Sequence, residues 1–175
     1  MSGLARLNAL PPAEAEAELR TCCGSREWAR QVAARRPFRD EAELLEAADA
    51  VWWGLGREDW LEAFRSHPRI GERGAEAPRS ERERRWSEGE QAGVGDAEAA
   101  VRRGLTEGNR AYEARFGHLY IVCATGKSGA EMLELLRRRL AHDPGTELRV
   151  AAEEQRRITR LRLAKLLASD PETVS

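Results

Sequence analysis

The chain has 175 residues, enough for one domain with a sizeable core, and its 29 basic and 30 acidic residues nearly cancel. This charge balance argues against a nucleic-acid-binding face, and no apolar run is long enough to span a membrane. Three cysteines, two of them adjacent, and a first segment without the layout of a secretory signal predict a protein of the reducing cytoplasm.

The first third of the chain carries helix-starting prolines, capping side chains and helix-breaking residues. Asp40, with Glu43 three residues later, has the spacing of a capping box, in which each side chain bonds the backbone N–H of the other residue. Four helices are predicted here: one from Pro11-Pro12 to Cys22–Gly24, one from Ser25 to Pro37, one from Asp40 through Trp52, and one over 59–66 after Gly54 and Gly56.

The remainder of the chain predicts three longer helices and two segments without a helical pattern. Ser128 with Glu131 repeats the capping-box spacing. The helices are expected from about Asp96 through Phe116, from Ser128 onward, and from about Thr146 to Leu167. Residues 71–85 are expected to form an exposed connector, and residues 169–175 a tail.

One short segment does not fit a purely helical pattern. Residues 119–123, Leu-Tyr-Ile-Val-Cys, lie between Gly117 and Gly126 and have the composition typical of a strand. No partner strand is predicted elsewhere in the chain. We therefore expect an all-α, single-domain multi-helix bundle over 1–175, crossed by one buried extended segment whose backbone groups bond side chains or a ligand.

His67 is the most informative position in the chain. Trp60 and Phe64 precede it by seven and three residues, so a helix over 59–66 places the three side chains on one face. Pro68 disfavours the α conformation at His67 and ends the helix there. The ring is thus expected at a helix C-terminus, where the dipole favours an imidazolium. A packed histidine before a helix-stopping proline is the alternative interpretation.

A second polar group lies between residues 87 and 91. Ser87 and Glu90 have capping-box spacing, and a helix start is one interpretation of them. The other is a ligand site, because the Glu90 carboxylate and the Gln91 amide offer complementary hydrogen bonds to a urea-like ligand. Opposite an imidazolium, Glu90 would also favour the charge and orientation of that ring.

Arg162 shares the apolar side of the last predicted helix with Gln155. A buried arginine needs a carboxylate or a ligand anion as its partner. The alternative is an arginine whose stem packs while its guanidinium reaches solvent. The other positions on that side of the helix are Leu148, Ala151, Ala152, Thr159, Leu163 and Leu166.

The sequence lacks the motifs of several other chemistries. The histidines, His67, His118 and His142, form no helical i, i+4 pair and have no flanking cysteine pattern, so no zinc or other transition-metal site is expected. A glycine-rich phosphate loop and a G-x-S-x-G elbow are also missing. An acid–base site that needs no cofactor remains.

The ordered combination of short motifs resembles the OHCU decarboxylases, which act on 2-oxo-4-hydroxy-4-carboxy-5-ureidoimidazoline (OHCU) in the ureide branch of purine breakdown. The resemblance covers nearly the whole chain. Among the motifs that carry it are Cys22-Cys23-Gly24-Ser25, His67-Pro68-Arg69-Ile70-Gly71, Ser87-x-x-Glu90-Gln91, Asn109-x-x-Tyr112-x-x-x-Phe116-Gly117, Ala124-x-Gly126-Lys127-Ser128 and Leu161-Arg162-Leu163. It implies an all-α homodimer that converts a small ureide to (S)-allantoin without a cofactor.

The site residues implied by this resemblance include the positions discussed above. They are His67, Glu90 and Arg162 as catalytic residues, and Pro68, Ser87, Gln91 and the backbone at Ile121 as substrate contacts. Tyr120 stands where the family often has phenylalanine, a change expected to alter the polarity of the pocket.

The implied reaction suits a site without a cofactor. The departing carboxylate lies next to a ring C=N, which takes up the electrons, so that no pyridoxal, thiamine or metal is needed. Two alternatives stay open: a non-catalytic helical module for ureide binding or another interaction, and a lyase that acts on a related cyclic ureide.

Overall fold

The computed structural model describes residues 2–70 and 99–168, and within these ranges it contains helices and no strand. The helices are α1 (Gly3–Ala9), α2 (Pro12–Arg20), α3 (Arg26–Ala34), α4 (Glu41–Gly54), α5 (Arg57–Arg65), α6 (Ala99–Phe116), α7 (Gly129–Arg139) and α8 (Pro144–Ala168). The predicted all-α class is therefore confirmed for this part of the chain. None of these helices is long and apolar enough to cross a bilayer.

The predicted helix starts are confirmed at the capping residues. Pro12 occupies the first position of α2, where its missing N–H costs nothing. Ser25 caps α3 by accepting a hydrogen bond from the Trp28 N–H. At α7, Ser128 and Glu131 form the complete capping box that their spacing predicts.

Several of the helix starts differ from the predictions. α1 was not predicted, although the Ser2 side chain caps it by accepting from the Ala5 N–H. At α4, Asp40 accepts from the Glu43 N–H as expected, but the Glu43 carboxylate accepts from an arginine side chain instead of closing the box. α8 begins at Pro144 rather than at Thr146. The predicted connector 71–85, the helix start near Asp96 and the tail 169–175 lie outside the described residues.

The chain divides into two compact units, one of Met1–Ala63 with Arg156–Ser175 and the other of Phe64–Gln155. In the first unit α2 packs against α3, and α3 packs against α4. The fully buried Trp28 joins α3 to α4 by donating from Nε1 to the Ala48 carbonyl at 3.1 Å. Cys22 and Cys23 are fully buried just after α2 and form no disulfide.

In the second unit α6 packs closely against α7. A Cβ added at Gly104 would lie 2.8 Å from a Leu133 methyl carbon, and one at Gly108 would lie 2.5 Å from a Leu136 methyl carbon. These two glycines therefore allow the close approach of the helices. The buried side chains of this core are Ile70, Leu105, Tyr112, Phe116, Tyr120, Val122, Ala124, Met132, Leu133 and Leu136.

The extended segment is confirmed in this second unit. Residues 119–124 follow α6 without helical structure and without a strand partner among the described residues, and residues 120–124 are buried. Gly117 and Gly126, on either side, have φ angles of 78° and 79°, which favour glycine at both bends. The segment therefore crosses the core of its unit, and its backbone N–H and C=O groups need hydrogen-bond partners other than a neighbouring strand.

Charged side chains supply those partners. Arg139 Nη1 donates to the Ile121 carbonyl at 2.6 Å, and the Cys123 N–H donates to Glu154 Oε1 at 3.3 Å. Lys127 Nζ donates to the Cys123 carbonyl at 2.8 Å. The prediction of bonds outside a ladder is thus confirmed, and Lys127 has a structural role here rather than that of a fully solvated helix-start lysine.

The carboxylate of Glu147 is fully buried and holds Arg139 in place. Arg139 donates to it from Nε and Nη2, the latter at 2.5 Å, and the Tyr112 hydroxyl also donates to it. Burial alone would lower the pKa of the Arg139 guanidinium, but the hydrogen bonds and charge of Glu147 outweigh it and raise that pKa. Burial raises the pKa of Tyr112, so its hydroxyl stays protonated and remains a donor.

Replacement of Arg139 by methionine should strongly destabilise the protein, because it leaves the buried Glu147 carboxylate without its cation and the Ile121 carbonyl without its donor. Loss of one partner from a buried pair costs about 3–5 kcal/mol of unfolding free energy. Urea denaturation followed by circular dichroism measures this loss.

The control is Arg138→Met, which removes the neighbouring arginine from its exposed pair with Glu134 and should change the unfolding free energy little. Equal stability of the two variants would contradict the structural role given to Arg139.

Candidate active site

His67 lies just beyond the C-terminus of α5, as the His-Pro pair predicts. Its backbone N–H donates to the Phe64 carbonyl at 3.2 Å, and the residue is 6% exposed. The Phe64 ring is buried and lies 5.3 Å from the His118 ring, measured between ring centroids. Phe64, which was predicted to share a helix face with His67, therefore packs against a second histidine that sequence reasoning did not place there.

The segment that follows His67 is fixed to α6. Arg69 forms a two-pronged ion pair with Glu113, with Nη2 2.9 Å from Oε1 and Nε 3.0 Å from Oε2. One residue later, the Ile70 carbonyl accepts from Nδ2 of the buried Asn109 at 2.9 Å. These contacts limit the freedom of the backbone on the C-terminal side of the imidazole.

The His67 ring itself is hydrogen-bonded to α8. Its Nε2 lies 2.5 Å from Oε1 of Gln155, a side chain with no exposed surface. The sequence pattern placed Gln155 on the buried side of α8 but gave it no role. The pairing of two residues 88 positions apart carries no local sequence signature, so it could not be predicted.

Two of the predicted substrate contacts belong to the same unit as His67. Pro68, the residue that follows His67, is half-buried, and Ile121 lies in the buried extended segment. The Ile121 carbonyl accepts from Arg139. The Tyr120 hydroxyl donates to the Met132 carbonyl at 2.9 Å, so the polar group that distinguishes this tyrosine from phenylalanine is satisfied inside the protein.

Arg162 belongs to the first unit, where it is 6% exposed. The structure thus supports the buried alternative over a guanidinium that reaches solvent. Its charge acts on the Cys23 thiol, which also bonds Thr159 and the backbone of Ser25. Burial nevertheless raises the pKa of Cys23 to about 11, so this neighbour is a neutral thiol at physiological pH.

Three of the predicted site residues, Ser87, Glu90 and Gln91, lie outside the described residues. No group of three or more potential metal ligands occurs among the residues at 2–70 and 99–168. Each of the other two histidines contacts protein groups: His118 Nδ1 donates to the Leu119 carbonyl at 3.0 Å, and His142 Nδ1 lies 3.1 Å from Glu147 Oε1.

Sequence reasoning also missed the buried charges behind the extended segment. Arg139 follows Met132 and Leu136 at helical spacing, so a stricter count of the apolar stripe would have placed it on the buried face of α7. Glu147 precedes Ala151 by four residues and joins the buried side of α8 in the same way. The apolar pattern of neither helix indicated that Arg139 and Glu147 pair with each other across the turn between α7 and α8.

Comparison with known proteins gives a family match. The family sequence model described as OHCU decarboxylase matches residues 8–164. The chain is 36% identical over 161 residues to the uric acid degradation bifunctional protein TTL of Arabidopsis thaliana, a match that covers 91% of this chain and 49% of that protein. It is 32% identical over 144 residues to the 2-oxo-4-hydroxy-4-carboxy-5-ureidoimidazoline decarboxylase of Bos taurus, covering 80% and 82% of the two chains.

A solved structure agrees with these matches. The chain is similar to a crystal structure of an OHCU decarboxylase in the presence of (S)-allantoin, with a TM-score of 0.74 and 35% identity, over 87% of this chain and 98% of that one. The bifunctional relatives are longer: the chain spans about half the length of the Arabidopsis protein and 28% of the protein PucL of Bacillus subtilis.

Proposed function

Because the chain belongs to the OHCU decarboxylase family, we propose that it catalyses the decarboxylation of OHCU to (S)-allantoin in urate degradation. The observation that carries the proposal is the buried His67 ring, which is hydrogen-bonded to Gln155 and which the family resemblance implies to be the catalytic histidine. The family match runs through both compact units, which supports a single catalytic domain.

The chemistry of the substrate explains why so few residues are required. The bond between the carboxylate carbon and the ring carbon breaks, carbon dioxide leaves, and the electron pair moves toward the adjacent ring C=N. A proton must then be delivered to one face of the ring to give a single enantiomer. The substrate is its own electron sink, so the protein has to orient it and move protons.

Each catalytic role falls on a side chain suited to it. His67 transfers the proton, because an imidazole both donates and accepts protons near neutral pH. Glu90 accepts a hydrogen bond from a ring or ureido nitrogen of the substrate. Arg162 binds a substrate oxygen through its buried guanidinium, whose planar fork of N–H groups suits an oxygen acceptor.

The remaining residues position the substrate. Ser87 and Gln91 offer polar side chains, while Pro68 and the backbone at Ile121 contact the ring. Phe64, which is fully buried, contributes an apolar surface that would keep the departing carboxylate poorly solvated. Ile121 suits its role because Arg139 fixes its carbonyl and with it the direction of the neighbouring peptide groups.

We also propose that the protein is a cytoplasmic homodimer. Its three cysteines are buried and form no disulfide, as suits a reducing compartment. Among the described residues, Trp53 and Leu161 of the first unit are the large apolar side chains that stay exposed, at 39% and 40%, and they are candidates for the subunit contact.

Light scattering should give a mass twice that of the 19.6 kDa chain, and Trp53→Glu should lower it toward the monomer value because a charge would be buried in the contact. A monomer mass for the unmodified protein at micromolar concentration would contradict the dimer.

Replacement of His67 by glutamine should lower kcat by about a hundred- to ten-thousand-fold, because it removes the group that transfers the proton. OHCU is generated by oxidising urate in the cuvette, and circular dichroism follows the appearance of (S)-allantoin. His142→Gln is the matched control and should keep the kcat of the unmodified protein.

Near-normal kcat in the His67 variant would remove the catalytic assignment. If the unmodified protein left the spontaneous racemic decay unchanged, the proposed reaction itself would be wrong and a non-catalytic module would be the better interpretation.

Replacement of Arg162 by methionine should lower kcat/KM about ten- to hundredfold, the usual worth of a hydrogen bond to a charged group. Arg162→Lys should lower kcat/KM by a smaller factor, because lysine keeps the positive charge but lacks the planar fork of the guanidinium. The control is Arg160→Met, which removes another arginine of α8. Arg160 bonds Asp49 of α4, and its loss should have little effect on kcat/KM. If the Arg160 and Arg162 variants were equally active, substrate binding by Arg162 would be excluded.

A further inference from the structure

We infer that Gln155 is a positioning residue for His67: its amide oxygen fixes the orientation of the imidazole and selects the ring nitrogen that exchanges a proton with the substrate. The inference rests on the proposed function, in which His67 transfers the proton. It begins from the 2.5 Å contact between Gln155 Oε1 and His67 Nε2.

The donor in this contact follows from the chemistry of the two groups. An amide carbonyl oxygen only accepts hydrogen bonds, so Nε2 must carry the proton. The neutral ring is then the Nε2–H tautomer, and its proton-accepting lone pair lies on Nδ1. Proton exchange with the substrate is therefore assigned to Nδ1, while Nε2 stays bonded to Gln155 throughout.

A neutral acceptor suits this task. A carboxylate in the same place would favour the imidazolium and hold the ring in one charge state. An amide orients the ring without adding charge to a site that is 6% exposed at His67 and fully buried at Gln155. The ring can then both release and recover a proton during a turnover.

The position of Gln155 is itself well fixed. The preceding residue, Glu154, accepts from the Cys123 N–H of the extended segment. One turn earlier, Ala151 and Ala152 are fully buried. A single turn of α8 thus bonds both the imidazole and the extended segment whose backbone is proposed to contact the substrate. Because Gln155 is held in a fixed position, replacing its side chain should change the orientation of the His67 ring.

The first test compares three variants by their kinetics on freshly generated OHCU. Gln155→Met fills the same volume without an acceptor and should lower kcat by about a hundredfold with little change in KM, the expected result when a reacting group is misplaced by about an ångström. Gln155→Glu restores an oxygen acceptor at Nε2 but favours the imidazolium, so it should recover only part of the lost kcat. Gln31→Met, which removes the bond from Gln31 to Glu27, is the control and should match the unmodified protein.

The second test does not depend on turnover. Nitrogen-15 spectra of histidine-labelled protein report which imidazole nitrogen carries the proton, and the resonances of His67 are assigned by comparison with the His67→Gln variant. The unmodified protein should show His67 as the Nε2–H tautomer when neutral, and Gln155→Met should show a mixture of tautomers.

The outcomes separate the inference from the proposed function. If the unmodified protein is active but Gln155→Met keeps its kcat, or loses activity only in proportion to its thermal stability, Gln155 is not a positioning residue. An unchanged His67 tautomer in Gln155→Met also overturns the inference. An unmodified protein without activity on OHCU overturns the proposed function, whereas the tautomer measurement still tests the bond.

Discussion

A stretch of extended backbone sets the main constraint on the second unit, because it crosses a helical core and has no partner strand in the part of the chain that the structure describes. Its buried peptide groups need hydrogen bonds as strongly as those of any strand, and the cost of leaving them unpaired is high. The protein meets this need with Arg139, Glu154 and Lys127. Burial of Arg139 in turn requires the buried Glu147 carboxylate, so the fold of α7 and α8 and the position of the candidate substrate-binding backbone depend on one ion pair.

The same arrangement explains which parts of the fold could be predicted from sequence. Capping bonds are local, so Ser25, Asp40 and the Ser128–Glu131 box predicted helix starts that the structure confirms. The absence of a second strand-like segment was enough to predict an extended crossing segment. The partners of that segment were not predictable, because their side chains come from two further helices and a turn, and helical periodicity indicates burial without identifying the contact.

The candidate site shows the same limit. The context of His67, a helix end followed by proline, predicted a buried imidazole that the structure confirms, and the apolar side of α8 predicted the burial of Arg162 as one of two alternatives. Gln155 was placed on that side, but its bond to His67 depends on tertiary structure alone. The assignment of roles rests on the family resemblance, which identifies chemical function where the sequence pattern gives only residue type and burial.

The side chains that bond the extended segment come later in the chain than the segment itself, and this order has a consequence for synthesis on the ribosome. The segment emerges before any of the side chains that satisfy it, since Lys127, Arg139 and Glu154 all follow it in the chain. Until the last helix has been translated, the nascent polypeptide carries an apolar, strand-like stretch with open hydrogen-bonding edges, the kind of sequence that pairs with other chains. Chaperone binding during translation would therefore matter most in the interval before α8 is released.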